Sequence, residues 1–241
     1  MTKKLSQFKA LTMDCYGTLI DWESGIWDAF QPLLHLNNRR DITRQIALEA
    51  HAIIESRQQA ETPGMIYPQI LHNVHGAFAG QFGLETSSEL NETFGNSVAH
   101  WPAFPDAADA LRQLQQHFKL VIISNIDNQS FAASNKKLGV TFDAVYTAQD
   151  MGAYKPTPAN FDYMLRKLEA DHSILPGDIL HTAQSLFHDH VPAKNIGLTC
   201  VWIDRQSLSN SENWGATARV DKRPEVDFIF PSMQALADAV D

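Results

Sequence analysis

Cysteine is scarce in this sequence of 241 residues, which contains only Cys15 and Cys200. Two cysteines cannot build a disulfide framework, so we expect buried free thiols and a reducing compartment. No run of about eighteen apolar residues occurs, which excludes a membrane-spanning helix, and the opening MTKKLSQFKALTMDC lacks the apolar stretch of a signal peptide. These absences predict a cytoplasmic protein without a membrane partner.

Basic charge is scarce as well, because 19 Lys and Arg residues stand against 28 Asp and Glu residues and give a net charge of −9. Nucleic-acid binding usually shows a basic patch, so this role is disfavoured. Neither a Gly-x-Gly-x-x-Gly motif nor a P-loop occurs, so we expect no nucleotide cofactor. An anionic substrate would need a local positive group, since long-range attraction is absent.

The residues that are present predict a folded α/β protein. Hydrophobic residues make up 44% and charged residues 20% of the chain, as in ordinary soluble proteins. Short apolar runs rich in β-branched residues recur at 8–15, 120–125, 144–148, 179–183, 199–204 and 228–230. Such runs favour strands buried on both faces of a parallel sheet. Helical spacing at 106–118 and 158–168 separates them, which predicts a doubly wound, Rossmann-like sheet.

Residues 21–100 break this alternation. They show helical patterns, for example at 42–59 and 68–82, and no strand pattern. We interpret them as an all-helical cap domain inserted after the first strand. Residues 1–20 and 101–241 would then form the catalytic core.

Polar clusters follow four of the predicted strands. They are DCYGTL (14–19), Ser124 with Asn125, YKP (154–156) and QSLFHD (184–189). Each cluster alone is typical of a turn or a helix cap. Because ligands of open α/β sheets bind beyond the carboxyl ends of the strands, four clusters at successive strand ends predict one shared site.

This set of motifs resembles the haloacid dehalogenase superfamily, and the helical insertion lies where that superfamily places its cap. In the superfamily the first aspartate is the nucleophile, which implies that role for Asp14. The resemblance further implies catalytic roles for Thr18, Ser124, Lys155 and Asp189.

Two positions depart from the majority of that superfamily, which are magnesium phosphatases. Tyr16 stands where they carry a second aspartate as general acid, and Gln184 stands where they carry a metal-binding aspartate. Losing a charged ligand weakens a Mg²⁺ site, and a phenol with a pKa of about 10 is a poor acid at neutral pH. A halide leaves without a proton, so the sequence predicts a metal-independent site without a cofactor.

Tyr16 within DCYGTL and the run WIDR (202–205) are similar to the L-2-haloacid dehalogenase branch. The resemblance implies a homodimeric hydrolase that converts small, anionic 2-haloacids through an alkyl-aspartyl ester, which water then hydrolyses. We expect Lys155 to keep Asp14 ionised, and Asp189 to hold Lys155 and help to position the water.

The same resemblance implies the residues that contact the substrate. Thr18 and Ser124 would orient the nucleophile and the substrate carboxylate, while Asn125 would cradle the halide. Tyr16 would wall the pocket against bulk water. We also expect Ser185 to line the substrate site.

Some features leave alternatives open. The branch has a cap arginine that binds the halide, and only His51 and Arg57 are nearby candidates for this role. Arg57 is more typical of a solvated surface residue. We expect the histidines at 181, 188 and 190 to pack and line the pocket rather than bind zinc. Two other functions compete: a magnesium-dependent phosphatase of a small phosphorylated metabolite, and a non-catalytic binding protein that kept the fold.

Overall fold

The computed structural model describes residues 3–210, 220 and 222–240, so the outermost bounds predicted for the core, 1 and 241, lie outside the described residues. One parallel sheet of six strands, in the order β3-β2-β1-β4-β5-β6, forms the centre of the described fold. This architecture confirms the predicted doubly wound α/β class. The strands are β1 (Ala10–Met13), β2 (Lys119–Ser124), β3 (Ala144–Thr147), β4 (Ile179–Ala183), β5 (Thr199–Ile203) and β6 (Phe228–Phe230).

Strand β1 lies in the middle of the sheet, and every one of its four residues is buried. It pairs with β2 on one side and with β4 on the other. The chain proceeds outward from β1 to β2 and β3, and later outward from β4 to β5 and β6. This reversal of direction creates a crevice at the carboxyl ends of β1 and β4, where such sheets bind ligands.

Helices flank the sheet, and capping residues set where they begin and end. Helix α6, for example, begins after Asp127, whose carboxylate accepts the Ser130 N–H at 3.0 Å, and ends at Gly139 in the left-handed conformation. The ten helices in the described part of the chain are α1 (Trp22–Leu36), α2 (Arg44–Glu61), α3 (Tyr67–Phe82), α4 (Ser88–Gly95), α5 (Ala107–Leu114), α6 (Asn128–Leu138), α7 (Ala148–Met151), α8 (Pro158–His172), α9 (Val191–Asn195) and α10 (Met233–Val240).

Residues 21–100, all of which are described, contain α1 to α4 and no strand. The ring of Phe30 lies 4.2 Å from that of Phe78 and 4.6 Å from that of Phe94, so aromatic packing joins these helices. Trp101 is buried where the chain returns to the core, and a Cβ at Gly25 would collide with its ring. The helical character of this segment agrees with a cap, while its bounds at 20/21 and 100/101 stay a prediction.

The structure also describes both cysteines and the apolar character of the helices. Both Cys15 and Cys200 are buried free thiols, as predicted. Among the described helices, none combines the length and the apolar character needed to cross a membrane.

Candidate active site

A cavity of about 80 Å³ lies at the carboxyl end of the sheet, between the strand ends and helices α2 and α3. Seven of the eight site residues predicted from the sequence line it: Asp14, Tyr16, Ser124, Asn125, Lys155, Ser185 and Asp189. The eighth, Thr18, is fully buried and hydrogen-bonded to Asp14. The parallel sheet therefore brings the four predicted clusters to one place.

Lys155 connects the two buried carboxylates of the cavity. Its Nζ donates to Asp14 Oδ1 at 2.9 Å, to Asp189 Oδ1 at 2.7 Å and to the backbone oxygen of Ile123 at 2.9 Å. An ammonium group has three hydrogens, so every one of them is engaged. The position of the positive charge is thus fixed by three partners at a residue only 2% exposed.

The two carboxylates differ in their pKa. Burial raises the pKa of Asp14 to about 6, and the charge of Asp189 adds to this, while Lys155 acts in the opposite direction. Burial also acts to raise the pKa of Asp189, but the ammonium of Lys155 and the hydrogen bond with His181 hold that pKa well below its usual range. The charge of Lys155 acts to lower the pKa of Asp14, but burial outweighs the ion pair, so the expected role of Lys155 in keeping Asp14 ionised stays a prediction.

The loop after β1 is fixed by bonds to the loop after β4. The Thr18 hydroxyl donates to Asp14 Oδ2 at 3.3 Å and accepts the Gln184 N–H at 2.9 Å. Gly17 has φ of +97°, and a Cβ there would lie 3.0 Å from Gln184 Oε1. Arg205 donates to the backbone oxygen of Thr18 at 2.6 Å, which holds the same loop from outside. The nucleophile candidate therefore has a rigid support.

Ser124 is the last residue of β2 and Asn125 follows it, and the two side chains make different contacts. The Asn125 side chain donates to the Lys155 backbone oxygen at 3.0 Å and accepts the Lys155 N–H at 2.6 Å, so it positions the lysine loop. Ser124 is fully buried and lines the cavity, and its hydroxyl has no hydrogen-bond partner among the described residues. Buried polar groups are nearly always bonded, so this hydroxyl lacks the partner that such a group normally has. Ser185 accepts the His188 N–H at 3.1 Å and so caps the turn that carries Asp189.

Tyr16 and Gln184 are the two residues that depart from the phosphatase pattern, and their surroundings bear on proton donation and metal binding. The Tyr16 hydroxyl is bonded to Ser134 Oγ at 2.8 Å, and burial raises its pKa well above the ordinary value, so it is a poor proton donor. Gln184 is neutral, and both oxygens of Asp14 already face Lys155 or Thr18. No group of three or more His, Cys, Asp or Glu residues suited to a metal occurs among the described residues. Gln184 therefore offers a Mg²⁺ ion a neutral amide oxygen in place of a carboxylate.

His181 was predicted to pack or line the pocket, but its contact with Asp189 was not predicted from the sequence. Its Nε2 is 3.2 Å from Asp189 Oδ1 and its Nδ1 is 3.0 Å from Thr12 Oγ1, so it supports Asp189 from within the sheet. The signal available was a histidine inside the otherwise apolar run of β4. His190 bonds to the Ala183 backbone oxygen at 2.9 Å and His188 lines the cavity, in agreement with the predicted packing and lining roles.

The part of α2 that lines the cavity carries a carboxyl group, whereas the resemblance implies an arginine in the cap. Glu55 of α2 lines the cavity, and the Tyr67 hydroxyl donates to its Oε1 at 2.6 Å. Arg57 is exposed, as interpreted from the sequence, and His51 is fully buried beside the Phe30 ring, outside the residues that line the cavity. Glu55 was not predicted from the sequence as a site residue.

The sequence is similar to two haloacid dehalogenases. A (S)-2-haloacid dehalogenase of Pseudomonas putida is 26% identical over 145 residues, 59% of each chain, so the match spans about three fifths of that relative. The (S)-2-haloacid dehalogenase 4A of Burkholderia cepacia is 23% identical over 84% of this chain and 85% of its own.

Solved structures share the fold. The L-2-haloacid dehalogenase of Xanthobacter autotrophicus with chloropropionic acid covalently bound has a TM-score of 0.77 at 20% identity, over 97% of this chain and 98% of that one. A HAD-hydrolase of Bacillus subtilis bound to magnesium has a TM-score of 0.75 at 17% identity, over 97% and 99%. The family model described as haloacid dehalogenase-like hydrolase matches residues 8–181, more than half of the chain. The chain therefore belongs to the haloacid dehalogenase-like hydrolase family.

Proposed function

We propose that this protein is a metal-independent hydrolase that releases halide from small 2-haloacids. The observation that carries the proposal is the buried Asp14 carboxylate, held 2.9 Å from Lys155 Nζ at the carboxyl end of β1 and lining a small cavity. The relatives named (S)-2-haloacid dehalogenase support the choice of substrate. The unpartnered Ser124 hydroxyl supports the binding of a polar ligand in the same cavity.

The reaction would proceed in two steps. An oxygen of Asp14 attacks the carbon that bears the halogen, and the halide leaves with the electron pair of its bond to carbon. Water then adds to the aspartyl carbonyl, and cleavage of the acyl bond returns the Asp14 carboxylate and a 2-hydroxyacid, whose hydroxyl keeps one proton of the water while the other is released to solvent. Lys155 offsets the charge of Asp14, and Asp189 holds Lys155 and helps to position the water. Thr18 orients Asp14.

The substrate contacts are part of the proposal. Ser124 would bind the substrate carboxylate, and Ser185 lies on the same cavity. Asn125 would contact the halide, and one hydrogen of its amide is free of the bond to Lys155. The Tyr16 ring would exclude bulk water. We also propose that the protein works as a homodimer in the cytoplasm, which size-exclusion chromatography and cell fractionation test.

Metal-free incubation with 2-chloropropionate and with an aryl phosphate tests this function. We expect chloride release that survives a chelator and disappears in Asp14→Asn. Phosphate release that requires Mg²⁺ would instead support the phosphatase alternative. If Asp14→Asn changes nothing but stability and wild-type protein releases neither ion, the non-catalytic alternative stands.

A labelling experiment tests the ester. In a single turnover in H₂¹⁸O, the product hydroxyl should carry ¹⁶O from Asp14, while ¹⁸O appears in the Asp14 peptide by mass spectrometry. Direct attack of water on the substrate would place ¹⁸O in the product and would contradict the proposed nucleophile.

A further inference from the structure

The wall that α2 and α3 contribute to the cavity is polar. Besides Ala52, helix α2 contributes the polar residues Glu55, Ser56 and Gln59 to the lining of the cavity, and α3 adds Tyr67. The inward face of a helix is usually apolar, because its burial drives packing. A polar face at the substrate cavity therefore points to a polar ligand group on that side.

The charges of the cavity are unbalanced. Of the described residues that line it, three carry carboxyl groups, Asp14, Glu55 and Asp189, whereas Lys155 alone carries an ammonium or guanidinium group. The hydrogens of Lys155 are all engaged by Asp14, Asp189 and the backbone of Ile123. Lys155 therefore has no hydrogen left with which to neutralise Glu55 or an incoming group.

Glu55 itself has an oxygen to offer. The Tyr67 hydroxyl bonds to Oε1 at 2.6 Å, whereas Oε2 lies 3.8 Å from His51 Nε2, which is too far for a hydrogen bond. The side chain is only 17% exposed, and burial raises the pKa of Glu55 to about 7. A cation placed beside Oε2 would remove the cost of burying this carboxylate.

Ser124 gives an independent sign of a ligand on the other side of the same cavity. Its hydroxyl belongs to a residue that is fully buried, and no described residue bonds to it. A hydroxyl can donate to a carboxylate, so it suits the acidic end of a substrate. The cavity thus has a place for an acceptor at the sheet and a place for a donor at α2.

We infer that the substrate carries a protonated amino group beyond the halogen-bearing carbon, and that Glu55 is a specificity-determining residue that pairs with it. The substrate class is then a small 2-halogenated amino acid rather than an alkyl 2-haloacid. This inference rests on the proposed function, which it deepens. Ser56 and Gln59 would flank the amino group as further polar contacts.

The test compares two substrates that differ only by the amino group, 2-chloropropionate and 2-chloro-3-aminopropionate, by chloride release in the presence of a chelator. We expect kcat/KM to be about tenfold or more higher for the amino compound, as for a hydrogen bond between charged groups. Glu55→Gln should reduce this preference to about threefold or less. Glu49→Gln, which changes an exposed residue of the same helix, should keep it. Equal efficiencies in the wild type, or a preference that survives Glu55→Gln, would overturn the inference.

Binding of compounds without a halogen separates the inference from the proposed function. Calorimetry of the wild-type protein should show tighter binding of 3-aminopropionate than of propionate, and this comparison does not depend on the folding of any variant. If binding differs but no chloride is released, the proposed function fails and the preference for an amino group stands. If chloride is released but the two ligands bind equally, the function stands and the inference is wrong.

Discussion

Replacing Lys155 with methionine tests how the buried charges of the site are balanced. The ammonium lies 2.9 Å from Asp14 and 2.7 Å from Asp189, at side chains that are at most 8% exposed. Removing one partner of a buried ion pair costs about 3–5 kcal/mol. Because Lys155→Met leaves two carboxylates without their cation, we expect the free energy of unfolding to fall by about 5 kcal/mol at pH 7.5, the upper end of that range.

The pH dependence of this loss has a definite sign. Without the ammonium, burial and mutual repulsion place the folded-state pKa of Asp14 and Asp189 above the unfolded value of about 3.9. Below that value both carboxyls are neutral in either state and the penalty is absent. It grows as the pH rises toward the folded-state pKa, so the deficit of Lys155→Met should be smaller at pH 5 than at pH 7.5.

Urea unfolding followed by tryptophan fluorescence at pH 5 and pH 7.5 measures both quantities. Lys167→Met is the matched control, because it removes a lysine from an exposed pair with Asp171 and should change stability little. A deficit below about 1 kcal/mol for Lys155→Met, in the range of surface pairs, would refute the reasoning. A deficit of the same size at both pH values would refute it equally.

Because burial raises the pKa of Asp14 to about 6, kcat/KM for chloride release should fall as the pH drops through about 6; a profile flat down to pH 4 would contradict an Asp14 carboxylate as nucleophile. His181→Phe removes the bond to Asp189 and should lower kcat about tenfold with little change in KM. His181→Gln should restore part of the lost kcat, and steady-state kinetics measures both variants. Gly17→Ala forces a side chain at φ of +97° and should cost about 1–3 kcal/mol in urea unfolding, whereas an unchanged midpoint would show that the loop relaxes freely.

The sheet and most of the site could be predicted because they depend on local patterns and one topological rule. The run at 179–183 is apolar enough to be a buried strand, and β4 occupies those residues. Parallel strands share one carboxyl edge, so placing Asp14, Lys155 and Asp189 at successive strand ends was enough to bring them together.

The remaining features depend on packing that a sequence does not display. His51, Glu55 and Gln59 recur every fourth residue, which places them on one side of α2, but only the neighbouring helices decide that this side is inward. Likewise, the pair of Asp14 and Lys155 predicts a lowered pKa by charge alone. The depth of burial, which reverses that direction, depends on how the helices and loops pack around Asp14.

The three bonds of Lys155 have a consequence for the second half of the proposed reaction. Lys155 contacts Oδ1 of Asp14 at 2.9 Å, whereas the hydroxyl of Thr18 contacts Oδ2 at 3.3 Å, so Oδ2 is the less firmly held oxygen. If Oδ2 forms the ester, Oδ1 becomes its carbonyl oxygen and already faces the ammonium. The cation that first balances the attacking carboxylate would then polarise the acyl group and receive the oxyanion that water creates, without moving.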